Sequence, residues 1–335
     1  MTKIAVLGAG SWGIAVAVLI NQNGYDVNLW EFFEEDCAKI QKLREQPDRL
    51  PGIKIPEAIT ITNDIETAVT DSDAIVLAVP SQVLRATVKP MVRHLPDEID
   101  FVISLAKGIE NNTLNRMSEV LLQELPGRYH NAISTLSGPS HAEEVSRNIP
   151  TTVVVAADDI KVAESAQKVF SSKTMRVYTS TDLIGVELGG SLKNVVAIAA
   201  GISYGLELGD NTIGALITRG LAEMARLGQN MGADPRTFAG LSGIGDLITT
   251  CTSRHSRNRF VGEQLGKGRK LAEILESMTM VAEGVKTTQS AYQLSQKHAV
   301  EMPITTEVYN ILFDDKDPKT ALYDLMTRTP KPEIW

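Results

Sequence analysis

Ile4-Ala5-Val6-Leu7-Gly8-Ala9-Gly10-Ser11-Trp12-Gly13 decides how this chain folds. Four consecutive apolar residues between Lys3 and Gly8 suit a strand buried on both faces. The glycines that follow keep G-x-G-x-x-G spacing, and the residues up to about Asn23 read as a helix. In this strand–turn–helix setting the spacing becomes a dinucleotide-binding fingerprint. Gly8 permits the tight turn, Gly10 lets a pyrophosphate approach the backbone, and Gly13 lets helix and strand pack closely. Ser11 and Trp12 open the helix, whose free N–H groups and positive dipole end face the phosphates.

Similar apolar runs recur. Val27 to Trp30, Ile59 to Thr62, Ala74 to Val79, Phe101 to Leu105, Ala132 to Leu136 and Thr152 to Ala156 read as strands, with helical patterns between them. Alternation of this kind predicts a doubly wound, mostly parallel α/β sheet of the Rossmann type over residues 1–180. Pro47 to Pro56 holds three prolines and a glycine and reads as an irregular loop. The pattern changes near residue 180. Asp182 suits the cap of a long helix running through Ala200, and Ile213 to Met231 suits another that stops at Gly232. Segments 259–266, 269–278, 284–298 and 303–313 follow as helices, so residues 181–335 are expected to form an all-α domain.

Composition narrows the function classes. A 335-residue chain with 43% apolar residues suits two packed domains. Its formal charge of −8 argues against a nucleic-acid surface or an anionic membrane as partner. Two distant cysteines, Cys37 and Cys251, no secretory leader pattern and no apolar run of membrane-spanning length predict a soluble cytoplasmic protein without disulfides. The histidines show no ligand spacing with cysteine or with one another, so no catalytic metal is expected. A homodimer is the expectation for an oligomer, from the prevalence of closed two-fold symmetry alone.

The end of the second strand bears on the cofactor. Glu31 lies about 20 residues beyond the glycines, where a carboxylate accepts hydrogen bonds from a ribose 2′-OH. Phe32 and Phe33 follow it and supply no cation for the 2′-phosphate of NADP. NAD is therefore the preferred cofactor, with NADP possible if an arginine compensates. Glu31 read as a solvated strand end is the alternative. By itself the fingerprint also admits a methyltransferase or a non-catalytic nucleotide sensor.

Several separate motifs, in order, carry a resemblance. They are GAGSWG at 8–13, KGIE at 107–110, SGPSHAEEV at 137–145, GSLKNV at 190–195, SGIGDL at 242–247, SRNR at 256–259 and VAEGV at 281–285. Together they resemble the bacterial NAD(P)-dependent glycerol-3-phosphate dehydrogenases over nearly the whole chain. The resemblance implies reversible reduction of dihydroxyacetone phosphate to sn-glycerol 3-phosphate, feeding glycerophospholipid synthesis. The family often carries arginine or histidine after the second strand, and Glu31-Phe32-Phe33 departs from that.

Hydride reduction of a ketone leaves an alkoxide that a positioned acid must protonate. The resemblance makes Lys193 that acid; read without it, Lys193 is an ordinary helix lysine. Lys107 closes a buried strand at the end where α/β sheets bind ligands, and can polarise the carbonyl and depress the pKa of Lys193. Asn194, Asp246 and Thr250 are placed to orient these groups, although Asp246 also suits a helix cap. Arg257 suits a substrate phosphate, flanked by Ser256 and Asn258. Arg254 and Arg259 read as solvated charges. By resemblance, Gly138 and Ser140 line the substrate side, and Ala142, Val281 and Glu283 the cofactor side, with Lys107 and Arg257 reaching both. His141, in the same loop as Ser140, reads equally well as structural. A reductase of another small keto compound, of the hydroxyacid or ketopantoate type, is the nearest rival; it would not need Arg257.

Overall fold

The computed structural model describes residues 2–278 and 280–333. One eight-stranded sheet organises the first half: β1 (Lys3–Leu7), β2 (Asp26–Trp30), β3 (Thr60–Thr62), β4 (Ala74–Leu77), β5 (Phe101–Ser104), β6 (Ile133–Ser137), β7 (Thr151–Ala157) and β8 (Met175–Ser180). Their order is β3-β2-β1-β4-β5-β6-β7-β8. All neighbours pair in parallel except β6 and β7. β1 is flanked by β2 on one side and β4 on the other, with Val6 opposite Leu29 and Val76. Strand order reverses there, so a crevice opens at the C-terminal ends of β1 and β4.

Burial on both faces explains the continuous apolar strands. Ile4 and Val6 join a core with the helix Ser11–Gln22, while Ala5 and Leu7 point into a second core with the helices Leu84–Met91 and Met117–Glu124. The eighth strand is a correction to the sequence reading, which stops at seven. Met175–Ser180 alternates between buried and exposed positions, with Arg176 and Tyr178 outward. It is an edge strand half covered by neighbours, so it lacks the continuous apolar run that marks the others.

Among the described residues no strand follows Ser180. The helix Leu183–Gly205 is the axis of the second half. Asp182 caps it as expected, its Oδ1 accepting from the Gly185 N–H at 2.9 Å. The helices Asp210–Asn230, Asp246–Thr252, Arg257–Gly266 and Glu283–Lys297 pack around it. The sequence reading found no apolar run of spanning length, yet this helix has both the length and the mean hydropathy, 1.4 over its apolar window. Of that window 94% is buried inside the protein, which makes it a core helix. The expected 269–278 helix shortens to Leu271–Glu276, and Pro318–Met326 is an additional helix. Ile109, from the loop after β5, is buried in the helical core and not in the sheet.

Candidate active site

Three elements meet at the C-terminal end of the sheet. Lys193 projects from the middle of the helix Leu183–Gly205, two residues beyond Gly190-Ser191. A side chain at Gly189 would come within 2.5 Å of the Ser242 carbonyl oxygen, so the glycine lets the 241–245 turn lie directly on the helix. That turn, a π-type turn over Leu241–Gly245, delivers Asp246 at the start of Asp246–Thr252. Asp246 does not cap its helix; both carboxylate oxygens turn to the lysines. Lys193 Nζ donates to Asp246 Oδ1, and to Thr250 Oγ1 at 2.7 Å. Lys107, just beyond β5, donates to Asp246 Oδ2 at 2.8 Å and to the Gly138 carbonyl at 3.0 Å. Asn194 holds the Lys107 carbonyl at 3.0 Å, and Asn258 holds Asn194 Oδ1 at 2.8 Å. Ser137, which the sequence reading missed, donates to Asp246 Oδ2 at 3.4 Å from the end of β6.

The electrostatics follow from burial. Lys193 is 5% exposed and Asp246 1%. Burial, joined by the charge of Lys107 and opposed by Asp246, brings the Lys193 ammonium down to about 7. Burial pushes the Asp246 carboxyl up, but Lys107 and Lys193 overcome it and hold the group below its ordinary range. Two lysines thus share one carboxylate, leaving a cationic pocket that suits an anionic substrate. The neighbouring Cys251 thiol is pushed up to about 12, chiefly by burial, and is no nucleophile.

On the nucleotide side the turn has the geometry a pyrophosphate needs. Gly8 has φ +113°, and a Cβ on Gly13 would lie 1.8 Å from the Gly8 carbonyl oxygen. Nothing lies within 4 Å of a Cβ built on Gly10. Gly10 caps the helix with no side-chain hydrogen bond, and its first turn carries no acidic residue. The leading N–H groups are thus available to phosphates, and the residues fit a dinucleotide. Trp12 packs against the sheet core, with its indole Nε1 buried and unpartnered.

Glu31 is not the solvated strand end of the alternative reading. It is 4% exposed, and its carboxylate is already engaged. Oε1 accepts from the Phe33 N–H and Oε2 from Arg49, both at 3.2 Å. Arg49 also meets Asp36 at 2.6 Å, and its carbonyl accepts from Ser11 Oγ at 2.7 Å. The arginine paired with Glu31 comes from the irregular 47–56 loop rather than from the positions after the strand. Phe32 and Phe33 stand exposed, edge to face, 5.0 Å apart.

The Arg257–Gly266 helix starts at the opposite wall. Ser256 caps it, accepting from the Arg259 N–H at 3.2 Å. Arg257 donates to the Val281 carbonyl at 2.9 Å and stands between the charges of Glu283 and Glu143. Asn258 is buried and accepts from the Gly284 N–H at 2.9 Å. Glu283 accepts from the Ser81 N–H at 3.1 Å and from Ser81 Oγ at 2.5 Å, joining the loop after β4 to the second half. Val281 is exposed beside it. Gly138 takes φ +134°, and Ser140 Oγ donates to its carbonyl at 3.1 Å. Ala142 is buried at the start of the short helix Ala142–Val145. Arg254 is exposed as read, but Arg259 is not a free surface charge; its guanidinium lies 4.3 Å over the Tyr204 ring. Among the described residues no group of three or more His, Cys, Asp or Glu side chains could hold a metal ion.

Comparison with known proteins assigns the chain. The family model for the NAD-dependent glycerol-3-phosphate dehydrogenase N-terminus matches residues 3–163, and that for the C-terminus residues 182–323. A glycerol-3-phosphate dehydrogenase (NAD(P)+) of Chlorobium limicola is 51% identical over 332 residues, 99% of each chain. One of Bacillus licheniformis is 51% identical over 335 residues, 100% of this chain and 96% of the other. The crystal structure of a Coxiella burnetii glycerol-3-phosphate dehydrogenase superimposes with a TM-score of 0.93 at 36% identity, covering 98% of this chain and 99% of that one. With both halves matched in order and full-length relatives at half identity, the chain belongs to the NAD-dependent glycerol-3-phosphate dehydrogenase family.

Proposed function

We propose that this chain reversibly reduces dihydroxyacetone phosphate to sn-glycerol 3-phosphate with a nicotinamide cofactor. The observation that carries the reading is the buried Lys193–Asp246–Lys107 arrangement, with the Lys193 ammonium brought to about 7. The nicotinamide supplies the hydride when bound. Lys193 gives a proton to the carbonyl oxygen in reduction and takes it back in oxidation. Lys107 polarises that oxygen and adds to the burial that keeps Lys193 acidic. Asp246 and Thr250 fix the Lys193 Nζ, and Asn194 fixes the backbone of Lys107. Arg257 binds the phosphate from the open side, with Ser256 and Asn258 setting the helix start beneath it. Gly138 and Ser140 face the substrate, while Gly8, Gly10, Ser11, Trp12, Gly13, Ala142, Val281 and Glu283 border the cofactor.

NAD is the proposed preference, from the carboxylate of Glu31 at the end of β2. The guanidinium of Arg49 against it supports acceptance of NADP as well. A boundary near residue 180 between a cofactor domain and a helical substrate domain is the proposed division, supported by the end of the sheet's last strand at Ser180. Supply of the glycerol backbone for phospholipid synthesis in the cytoplasm goes with this activity. Homodimerisation rests on the prevalence of two-fold oligomers.

The test is direct. Purified protein is mixed with dihydroxyacetone phosphate and either NADH or NADPH, and the loss of reduced-nicotinamide absorbance is followed. Turnover with neither cofactor sinks the activity. A clear advantage for NADPH sinks the cofactor preference alone.

A further inference from the structure

His141 is a polar residue at the cleft with a buried ring nitrogen, Nε2, that lacks a partner among the described residues. It follows Ser140 on the loop after β6. Its ring lies 5.8 Å from that of His255, centroid to centroid, at 52°. His255 immediately precedes Ser256, Arg257 and Asn258. The charged groups facing His141 are Lys193 from the central helix, Lys107 from the end of β5, and Glu143 and Glu144 from the short helix it caps. Glu143 also faces Arg257. The imidazole therefore faces Lys193 on one side and, on the other, His255, two residues before Arg257.

Its chemistry follows from that setting. Burial first, then the charge of Lys193, hold the ring below its usual pKa, so it is neutral at neutral pH and carries one N–H. A buried polar atom without a partner is costly, and such atoms are normally satisfied by water or ligand. The substrate's carbonyl oxygen already has two lysine donors assigned to it. Its phosphate has the oxygens to spare, and His255 places His141 on the phosphate side.

We propose that His141 is a substrate-binding residue whose Nε2–H donates to a phosphate oxygen of the substrate beside Arg257. This rests on the phosphate reading of Arg257 given above. The experiment compares His141→Ala, His141→Gln and Arg257→Ala by steady-state kinetics with dihydroxyacetone phosphate. NADH affinity is measured alongside by fluorescence, and the thermal midpoint by circular dichroism. Glutamine carries an amide donor near the place of Nε2, and alanine removes it. The expected result is a KM raised about tenfold to a hundredfold in His141→Ala, the range of a hydrogen bond to a charged group. The kcat and NADH affinity change less than about threefold, and His141→Gln recovers most of the loss. Should the alanine variant not fold, His141→Asn, whose shorter amide withdraws the donor, replaces it. An unchanged KM, with or without a lower thermal midpoint, overturns the proposal, as does a loss that glutamine does not repair. If Arg257→Ala raises KM and His141→Ala does not, the histidine alone is refuted. If neither raises it, the phosphate reading falls with it.

Discussion

Lys193 is an ammonium group in a place where ammonium groups are rarely found. Burial is the main cause of its lowered pKa, with Lys107 adding to it, while Asp246 in the same cavity stabilises the charge. The sign of the pH dependence follows. Reduction needs the protonated amine, so turnover of the ketone falls as pH rises through about 7. Oxidation needs the neutral amine and gains over the same interval. Replacing Lys193 by methionine should remove both limbs and lower kcat by roughly 10²–10⁴, the scale of a lost general acid–base. A variant that retained the wild-type profile would take Lys193 out of the proton path. Arg49 makes a second prediction. Arg49→Ala frees the Glu31 carboxylate, which then repels a 2′-phosphate and accepts more freely from a 2′-OH. The ratio of kcat/KM for NADH over NADPH should rise at least about tenfold, which parallel assays with the two cofactors read directly. Glu31 could be found from its distance to the glycines; Arg49 could not. No periodicity says where a proline-rich loop folds back, so its cation was invisible in the sequence. Lys193, in turn, stood out only through the resemblance, because nothing local distinguishes a buried helix lysine from a surface one.

At the scale of elements, the long helix is held in register by a residue that does no chemistry. Glu187 is 7% exposed and lies six residues before Lys193. Its carboxylate accepts from the Ser118 N–H at 2.7 Å, Ser118 Oγ at 2.6 Å and Arg116 at 2.6 Å. The second-half helix is thereby fixed to the start of the Met117–Glu124 helix beside the sheet. Glu187→Ala leaves Arg116 buried without its main partner and two donors of that helix start unmet. A loss of about 3–5 kcal/mol is expected, as for half of a buried ion pair, and urea denaturation measures it. Rotation of the helix should also lower kcat, since Lys193 turns with it. Full stability would show that the pair contributes no more than a hydrophobic contact. Glu187 drew no attention in the sequence because a glutamate within an apolar helix has no pattern of its own. The strands were legible for the opposite reason: burial on both faces leaves continuous apolar runs. β8 escaped because an edge strand buries one side only. The helix Asp246–Thr252 was legible only as a start at Asp246, because seven residues are too few to show a period.

At the scale of the whole molecule, the two halves interlock more than a boundary near residue 180 suggests. Ile109 leaves the sheet to pack in the helical core. Asn111, two residues on, donates to Gln289 at 2.9 Å and accepts from Ser290 at 2.5 Å. Gln82, after β4, donates to the Ile109 carbonyl at 2.8 Å and accepts from the Asn111 N–H at 2.9 Å, which fixes this loop to the sheet. With Ser81–Glu283 and Arg116–Glu187, these contacts run along the cleft that holds both lysines. Each half therefore leaves the other's buried polar groups unsatisfied if it unfolds alone. Independent domains would melt separately; these should not. Urea unfolding followed by far-ultraviolet circular dichroism and by residual activity should give one coincident transition. Ile109→Asp puts an unpaired charge from the sheet's loop into the helical core, and should shift that single transition to lower urea rather than split it. Two separated transitions in the parent protein would mean that the interlock is too weak to couple the halves. The lysine cluster would then depend on substrate to bring its two sides together.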